Sequence, residues 1–410
     1  MALSSFDGYG GAVLPAEATV PLESALGLIR SLAGDIGPRR PCSEAEKRAA
    51  DALVRWLGEH GVEARLEPFR GYPTFCSPYG AIFGTALAGG LLQGARRASR
   101  LGDLLGLGAA LAAALEGDLR TTPVSDLLSR HPSVNVVGRV PSAGPIWRIV
   151  CLCAHLDTTR SGLMFHRRVV PYLPRLLMIP TVSTPVLGLG PLLRRMPGGR
   201  KLRTAAIAGV VFALAMLAER ELRGEDVPGA NDNASGSAVA AQLAAECAAA
   251  PLEHTEIRLL ITSCEESGLL GAQAYARQHV AAAAGTVFIN FDTVATDAPL
   301  TYILEEGSAL ATRPASPLLI ELAERIAARR PELALGPARA TPGLPTDATV
   351  LRARGWEAIT FLAQEGPIPH YHLPTDTVEN ISPDTVGRAL EVGREMLREL
   401  DREAPPPGQA

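Results

Sequence analysis

Short apolar runs that end in polar residues recur along the second two-thirds of the chain. "SVNVVGRV" (133–140) alternates as a strand. "WRIVCLCAH" (147–155), "EIRLLITSC" (256–264), "GTVFINFDT" (285–293) and "WEAITFLA" (356–363) read as buried strands, the first three ending in polar residues. Helical patterns lie between them at 235–249, 268–281, 315–329 and 383–400. Apolar strands alternating with helices predict a mostly parallel sheet covered on both faces. Upstream, "SEAEKRAADALVRWLGEH" (43–60) has Ala50, Leu53, Val54 and Leu57 on one face, with Ser43 and Glu46 as a capping box. "GVEARLEPF" (61–69) then alternates as a strand. The fold class expected is α/β, a three-layer α/β/α arrangement around a mostly parallel mixed central sheet.

Two segments break this rhythm. Residues 71–95 are uncharged, then come Arg96, Arg97 and Arg100 and a second apolar run at 104–115. Residues 176–193 are also uncharged but interrupted by Pro180, Pro185 and Pro191; a basic stretch from Arg194 to Arg203 precedes "TAAIAGVVFALAMLA" (204–218). Both read as apolar helical hairpins inserted at about 71–118 and 165–222. The organisation expected is an N-terminal segment (1–40), one domain (41–400) carrying the two hairpins, and a disordered tail (401–410).

Composition narrows the function. The 410 residues are 47% hydrophobic with a formal net charge of −4, which gives no support for nucleic-acid binding. Six cysteines lack zinc-finger spacing, so free thiols in a reducing compartment are expected. The start "MALSSFDGYGG" shows no secretory signal, and a cytoplasmic location is expected.

The candidate chemistry sits where strands end, the place where open α/β sheets bind ligands. His155 and Asp157 follow one strand, Glu265 and Glu266 another, and Asp292 a third. His370 and His372 lie in a loop after a fourth, and "GANDNASG" (229–236) puts Asp232 before a helix. Each has a plain structural reading; Asp232, for instance, could be an N-cap. Together they are a mixed imidazole and carboxylate set that suits zinc or cobalt. Two divalent ions can polarise a carbonyl and generate hydroxide near neutral pH, and a carboxylate must bridge them. Asp232 is the candidate bridge, with His155 and Asp292 on one ion and Glu266 and His372 on the other. Asp157 suits a second role, holding the tautomer of His155. Glu265 is left as the proton-transferring base.

The motifs "HLD" (155–157), "GANDNASG", "EESGLLG" (265–271), "NFD" (290–292) and "YHLPTDT" (371–377) resemble, in this order, those of the co-catalytic zinc exopeptidases. That family includes bacterial leucyl-type aminopeptidases, glutamate carboxypeptidases and glutaminyl cyclases. The resemblance covers roughly 40–160 and 225–400. It implies the ligand roles above, two zinc ions, and His372 over His370. "TDATVLRARG" (346–355) departs from the family's Ser-Asp-His segment by carrying Thr346 and Ala348. The other departure is the spacing between His155 and Asp232, 76 residues where the family needs a short loop.

The function expected is hydrolysis of a terminal bond in a peptide or small amide, aminopeptidase-like, with Glu265 as general base. Carboxypeptidase-type or non-peptide amide hydrolysis is the alternative on the same centre. A one-zinc cyclase would not need the full second ligand set, and a non-catalytic relative would be expected to lose Glu265 or a ligand. Only 79 residues separate Asp292 from His372, too few for the dimerisation domain of the amino-acylase type. The hairpins could form a lid, a homo-oligomer contact or a membrane-surface contact. Arms of 12 and 15 apolar residues fall short of the roughly 20 that span a bilayer, which favours a soluble protein.

Overall fold

A computed structural model describes residues 21–280, 285–340 and 343–403. The expectations for residues 1–20 and for the tail from 404 fall outside them. The helices are α1 (Leu22–Ile29), α2 (Glu44–Glu59), α3 (Cys76–Leu92), α4 (Ser99–Asp118), α5 (Pro123–Leu128), α6 (Leu173–Gly188), α7 (Gly190–Arg195), α8 (Gly199–Arg223), α9 (Gly236–Ala249), α10 (Leu270–Gln278), α11 (Pro317–Arg329), α12 (Asp347–Ala353) and α13 (Pro383–Arg402). The strands are β1 (Glu63–Gly71), β2 (His131–Val140), β3 (Arg148–His155), β4 (Thr255–Thr262), β5 (Thr286–Phe291), β6 (Leu300–Ile303), β7 (Glu305–Gly307), β8 (Thr312–Pro314), β9 (Leu335–Ala338) and β10 (Glu357–Ala363).

Eight strands form one sheet in the order β1-β2-β4-β3-β5-β10-β6-β9, and β7 pairs with β8 separately. The central four, β4-β3-β5-β10, are parallel. Antiparallel pairing of β1 with β2, β2 with β4 and β6 with β10 makes the sheet mixed. The uninterrupted apolar character of β3 follows from burial on both faces. Val150, Leu152 and Ala154 enter the larger core beneath α1, α2, α9, α11 and α13, while Cys151 and Cys153 enter a second core beneath α10 and α12. All six cysteines are free. α9 approaches the sheet closely because its buried positions are mostly alanine; at its first residue, Gly236, a Cβ would stand 2.1 Å from the Phe291 carbonyl oxygen.

The cap on α2 is close to the expected box. The Ser43 hydroxyl accepts from Glu46 N–H, but the Glu46 carboxylate reaches back to Cys42 N–H instead of Ser43. The same carboxylate accepts from Ser133 Oγ and Cys264 N–H, so it ties α2 to the end of β4. Residues 22–36, read in the sequence as part of a separate N-terminal segment, pack Leu26, Ile29 and Leu32 into the main core. β6, β9 and α12 carry too few residues for a periodic signal and went unread.

Helices α3, α4, α6 and α8 lie together in a layer with its own apolar core, including Phe83, Ala109, Leu187 and Val210. α8 runs for 25 residues, longer than its 15-residue apolar stretch, because Arg200–Arg203 and Glu219–Arg223 extend the helix at both ends. It is the one helix among the described residues long and apolar enough to cross a membrane, by length and composition only. The chain leaves for α6–α8 and returns through a narrow neck, where Ser161 N–H bonds Glu225 O and Val227 N–H bonds Thr159 O.

Arg39 joins these parts. It is fully buried, and its guanidinium donates to the carbonyls of Leu32, Gly37, Leu156, Pro228 and Gly229. Those carbonyls belong to the N-terminal helices, the end of β3 and the loop before α9. An apolar substitute would leave several buried acceptors without donors, each costing roughly 1–3 kcal/mol. Arg39→Met should therefore lower unfolding stability by at least about 3 kcal/mol, measured by denaturant titration; a loss below about 1 kcal/mol would contradict this role.

Candidate metal centre

The motif "GANDNASG" folds as a tight loop between the neck and α9. Gly229 has φ +64°, and a Cβ there would meet the Asp232 carbonyl oxygen and Thr158 Cγ2 at 2.3 Å. The two asparagines are structural. Asn231 Oδ1 accepts from Ala295 N–H, Asn233 Oδ1 accepts from Gly236 N–H, and Asn233 Nδ2 donates to Phe291 O. Asn233, and not Ser235, therefore caps the start of α9; the Ser235 hydroxyl donates back to Asn231 O. Asp376 accepts from Asn231 N–H at 2.7 Å and Asp232 N–H at 3.0 Å. With its neighbours spent on this scaffold, the Asp232 carboxylate is left to face the site.

Its two oxygens point at two histidines from different parts of the chain. Asp232 Oδ1 is 3.1 Å from His155 Nε2, at the end of β3, and Oδ2 is 3.1 Å from His372 Nε2. His155 Nε2 also lies 3.9 Å from Asp292 Oδ1, beyond the end of β5. His372 Nε2 lies 3.1 Å from Glu266 Oε1, in the turn after β4. Two donor groups result, His155–Asp232–Asp292 and Asp232–Glu266–His372, each with its ligand atoms within 4.8 Å of one another. Asp232 is common to both. All five side chains read from the sequence as ligands thus meet, and His370 does not: it is exposed and bonds Thr375 Oγ1 through Nδ1. The donor set fits divalent cations. Asp232 Oδ2, Glu266 Oε1 and His372 Nδ1 are buried without a hydrogen-bond partner, a costly arrangement unless a cation or water completes it.

Asp157 acts in two ways, one of which differs from expectation. Its backbone carbonyl, 3.1 Å from His155 Nδ1, is what orients that ring; the carboxylate is 3.8 Å away. The carboxylate instead accepts from Glu265 N–H at 2.9 Å and Glu266 N–H at 3.0 Å, fixing the turn that presents both glutamates. Glu265 lines the cavity at the centre together with His155, Asp232, Glu266, Asp292 and His372.

Other groups were missed or left without a role. Asp376 was inside a quoted motif, four residues after His372, yet its support of the 231–232 turn is a backbone bond that spacing does not reveal. Asp347 is buried and accepts from Thr262 Oγ1. Thr346 lines the cavity, whereas Ala348 is packed in the second core. Phe165, from the start of the second insert, stands edge-on to His372 with centroids 4.3 Å apart, and Tyr371 stacks on the same ring.

Crowding dominates the electrostatics. Burial pushes Asp292 up to about 8 and Asp157 up to about 7, with neighbouring carboxylates adding to the push and His155 opposing it. Burial likewise raises Glu265 well above the carboxylate range. His372 is held up at about 9: burial lowers it, but Glu266 and Asp232 outweigh that. Burial opposes ionisation of Asp232 too, yet its bonds to the two imidazoles hold it below the usual range.

Comparison with known proteins agrees with this geometry. Residues 212–397 match the profile of Peptidase family M28. Among curated proteins none matches the sequence. The fold is similar to that of a zinc aminopeptidase from Bacillus subtilis (16% identity, 92% of this chain and 95% of that one, TM-score 0.55). It is also similar to a glutaminyl cyclase from Porphyromonas gingivalis (15%, 93% and 98%, 0.56). A leucine aminopeptidase precursor from Bacteroides thetaiotaomicron matches at 14%, over 94% and 98%, with a TM-score of 0.55. The matched family is the one the motifs resemble.

A pH dependence follows for the metal-free protein. Asp157, Asp292 and His372 all bind protons more tightly folded than unfolded. Their contribution to stability is complete below the ordinary values of 3.8 and 6.5 and is lost as pH rises through the folded values of about 7 to 9. The melting temperature of chelator-treated protein should fall between about pH 5 and pH 9. Added zinc should raise it most at the alkaline end, where cations replace protons. Scanning fluorimetry across that range checks this; a flat metal-free profile would refute it.

Proposed function

We propose that the chain is a two-metal hydrolase that cleaves a terminal peptide or related amide bond, aminopeptidase-like, with zinc as the metal. The carrying observation is the pair of donor groups that share Asp232. The family match over residues 212–397 supports a zinc metallopeptidase, and the aminopeptidase fold likeness agrees. In this reading His155, Asp232 and Asp292 hold one ion, and Asp232, Glu266 and His372 the other. When bound, the ions polarise the scissile carbonyl and acidify a water. The chain does the rest. Asp157, through its carbonyl, keeps the His155 Nδ1 proton in place so that Nε2 is free to ligate. Its carboxylate fixes the Glu265–Glu266 turn. Glu265 takes a proton from the attacking water and delivers it to the leaving nitrogen as the C–N bond breaks. Phe165 and Tyr371 cover His372 and limit water around the reaction.

Purified protein should contain about two divalent ions per chain by elemental analysis. Glu265→Gln should keep them and lose activity by a factor on the order of 10² or more. Glu266→Gln should lose metal. Near-normal turnover in Glu265→Gln, or no metal uptake by the wild type, would sink the reading.

We also infer that the helical layer rests on an anionic lipid surface. α4 exposes Leu101, Leu104, Leu107, Leu111 and Leu115, each at least 44% accessible, along one side. The turns between the helices present exposed Arg96, Arg97, Arg100, Arg194, Arg195, Arg200 and Lys201, against Asp103 as the acid among them. Apolar side chains beside a basic cluster match the interfacial zone of such a bilayer. In flotation with phosphatidylserine-containing vesicles the protein should rise with the lipid, and less with pure phosphatidylcholine. Leu104→Asp with Leu111→Asp should stay at the bottom. A wild type that ignores both vesicle types, or a stable dimer burying α4, would refute this.

A further inference from the structure

The centre opens into a second, larger cavity of about 290 Å3. Glu265, Glu266, Tyr371 and His372 line both spaces, so the larger one begins at the reacting groups. Its walls come largely from the inserted helices: Tyr79 and Phe83 of α3, Leu177 and Pro180 of α6, and Phe212 and Met216 of α8. The polar groups there are already used. Glu116 accepts from Val124 N–H, Ser125 N–H and Ser125 Oγ. Arg220 donates to Arg160 O and Thr159 Oγ1. Of the lining residues, those with a buried polar atom lacking a partner are Glu266 and His372, at the metal end. The cavity thus asks for polar contact at one end and for none along its length, the arrangement of a site for a long apolar group tethered to a polar head.

We propose that the substrate carries a long unbranched apolar chain next to the scissile amide, and that this chain lies between α3, α6 and α8. The proposal rests on the hydrolase reading and adds the substrate class. Such a chain could belong to a fatty-acyl amide, on the carbonyl side, or to an alkylamide of an amino acid, on the nitrogen side. A short apolar pocket at the strand ends would need no inserted helices. This cavity is built from them, which gives the 76 residues between His155 and Asp232 a function beyond closure of a loop.

The test uses zinc-loaded full-length protein and two substrate series, N-acyl-leucines from acetyl to palmitoyl and leucine n-alkylamides of matching lengths. In one series kcat/KM should rise about fourfold per methylene that enters, the worth of burying one CH2, and then level off when the cavity is full. The series that rises identifies the side that bears the chain. Leu177→Arg and Met216→Trp should each cut the ratio of long-chain to short-chain kcat/KM at least tenfold. One narrows the cavity by charge and the other by bulk, so a folding defect in one leaves the other informative. Independently of activity, dansyl-undecanoic acid should bind the wild type with enhanced fluorescence and bind Leu177→Arg at least tenfold more weakly. Length-independent cleavage in both series overturns the proposal, as does failure of the probe to bind. Probe binding that Leu177→Arg abolishes, without cleavage of any substrate, would sustain the cavity and refute the hydrolase.

Discussion

Six carboxylates crowd around two imidazoles at the end of the sheet: Asp157, Asp232, Glu265, Glu266, Asp292 and Asp347. A buried carboxylate survives only if it is paired, hydrogen-bonded or protonated. The chain divides its acids among these solutions. Asp157 and the nearby Asp376 each accept two backbone N–H bonds and so act as structural anions. Asp232, Glu266 and Asp292 instead face inward with the imidazoles. Metal-free, part of that set must hold protons, which the raised values of Asp157 and Asp292 express. A pair of divalent cations would release those protons and supply the missing charge. The electrostatic strain of the empty site and its affinity for metal are two descriptions of one arrangement.

Holding such a set together requires a scaffold that does not relax. The ligands come from the end of β3, the loop before α9, the turn after β4, the end of β5 and the loop after β10. Each segment is tied to another by a buried polar bond. Arg39 binds the β3 end to the 228–229 carbonyls. Asp157 binds the β3 end to the glutamate turn, and Asn233 binds the α9 loop to β5. Asp376 binds the α9 loop to the His372 segment. These links form a closed circuit around the cavity. A defect in one should displace ligands that it never touches, because the remaining segments share their positions through it.

The sequence made the central strands and the ligand set legible for the same reason. A strand buried on both faces must be apolar until it reaches its exposed end, so a polar residue there stands out against the run before it. His155 and Asp292 are visible in this way, and Asp232 through its turn residues. What stayed hidden acts through the backbone or across distance. Arg39 looks like any arginine after a proline, because its five acceptors are carbonyls scattered over nearly two hundred residues. The roles of Asp157 and Asp376 are bonds to N–H groups, which every residue but proline has. Asn233 took the capping role assigned to Ser235 because the loop turns one residue earlier than a simple helix start. The short strands β6 and β9 have four residues each, below the length at which alternation can be told from chance.

The insert between His155 and Asp232 shows how a fixed centre can acquire a new surrounding. Closure entropy grows slowly with loop length, so the cost of a long excursion lies mostly in anchoring its ends. Here the ends are anchored side by side at Thr159–Ser161 and Glu225–Val227, directly below the ligands. Beyond that neck the helices satisfy their own backbone bonds and pack with α3 and α4, drawn from a different insertion. Gly89 and Gly106 make this contact close, since a Cβ on Gly89 would come within 2.6 Å of Gly106 N. The layer therefore stands on two roots and is shaped by its own core, separate from the sheet. It can change its walls without moving a ligand, while Phe165 at its base still touches His372. Chemistry and recognition are thus carried by different parts of the chain that meet at one ring.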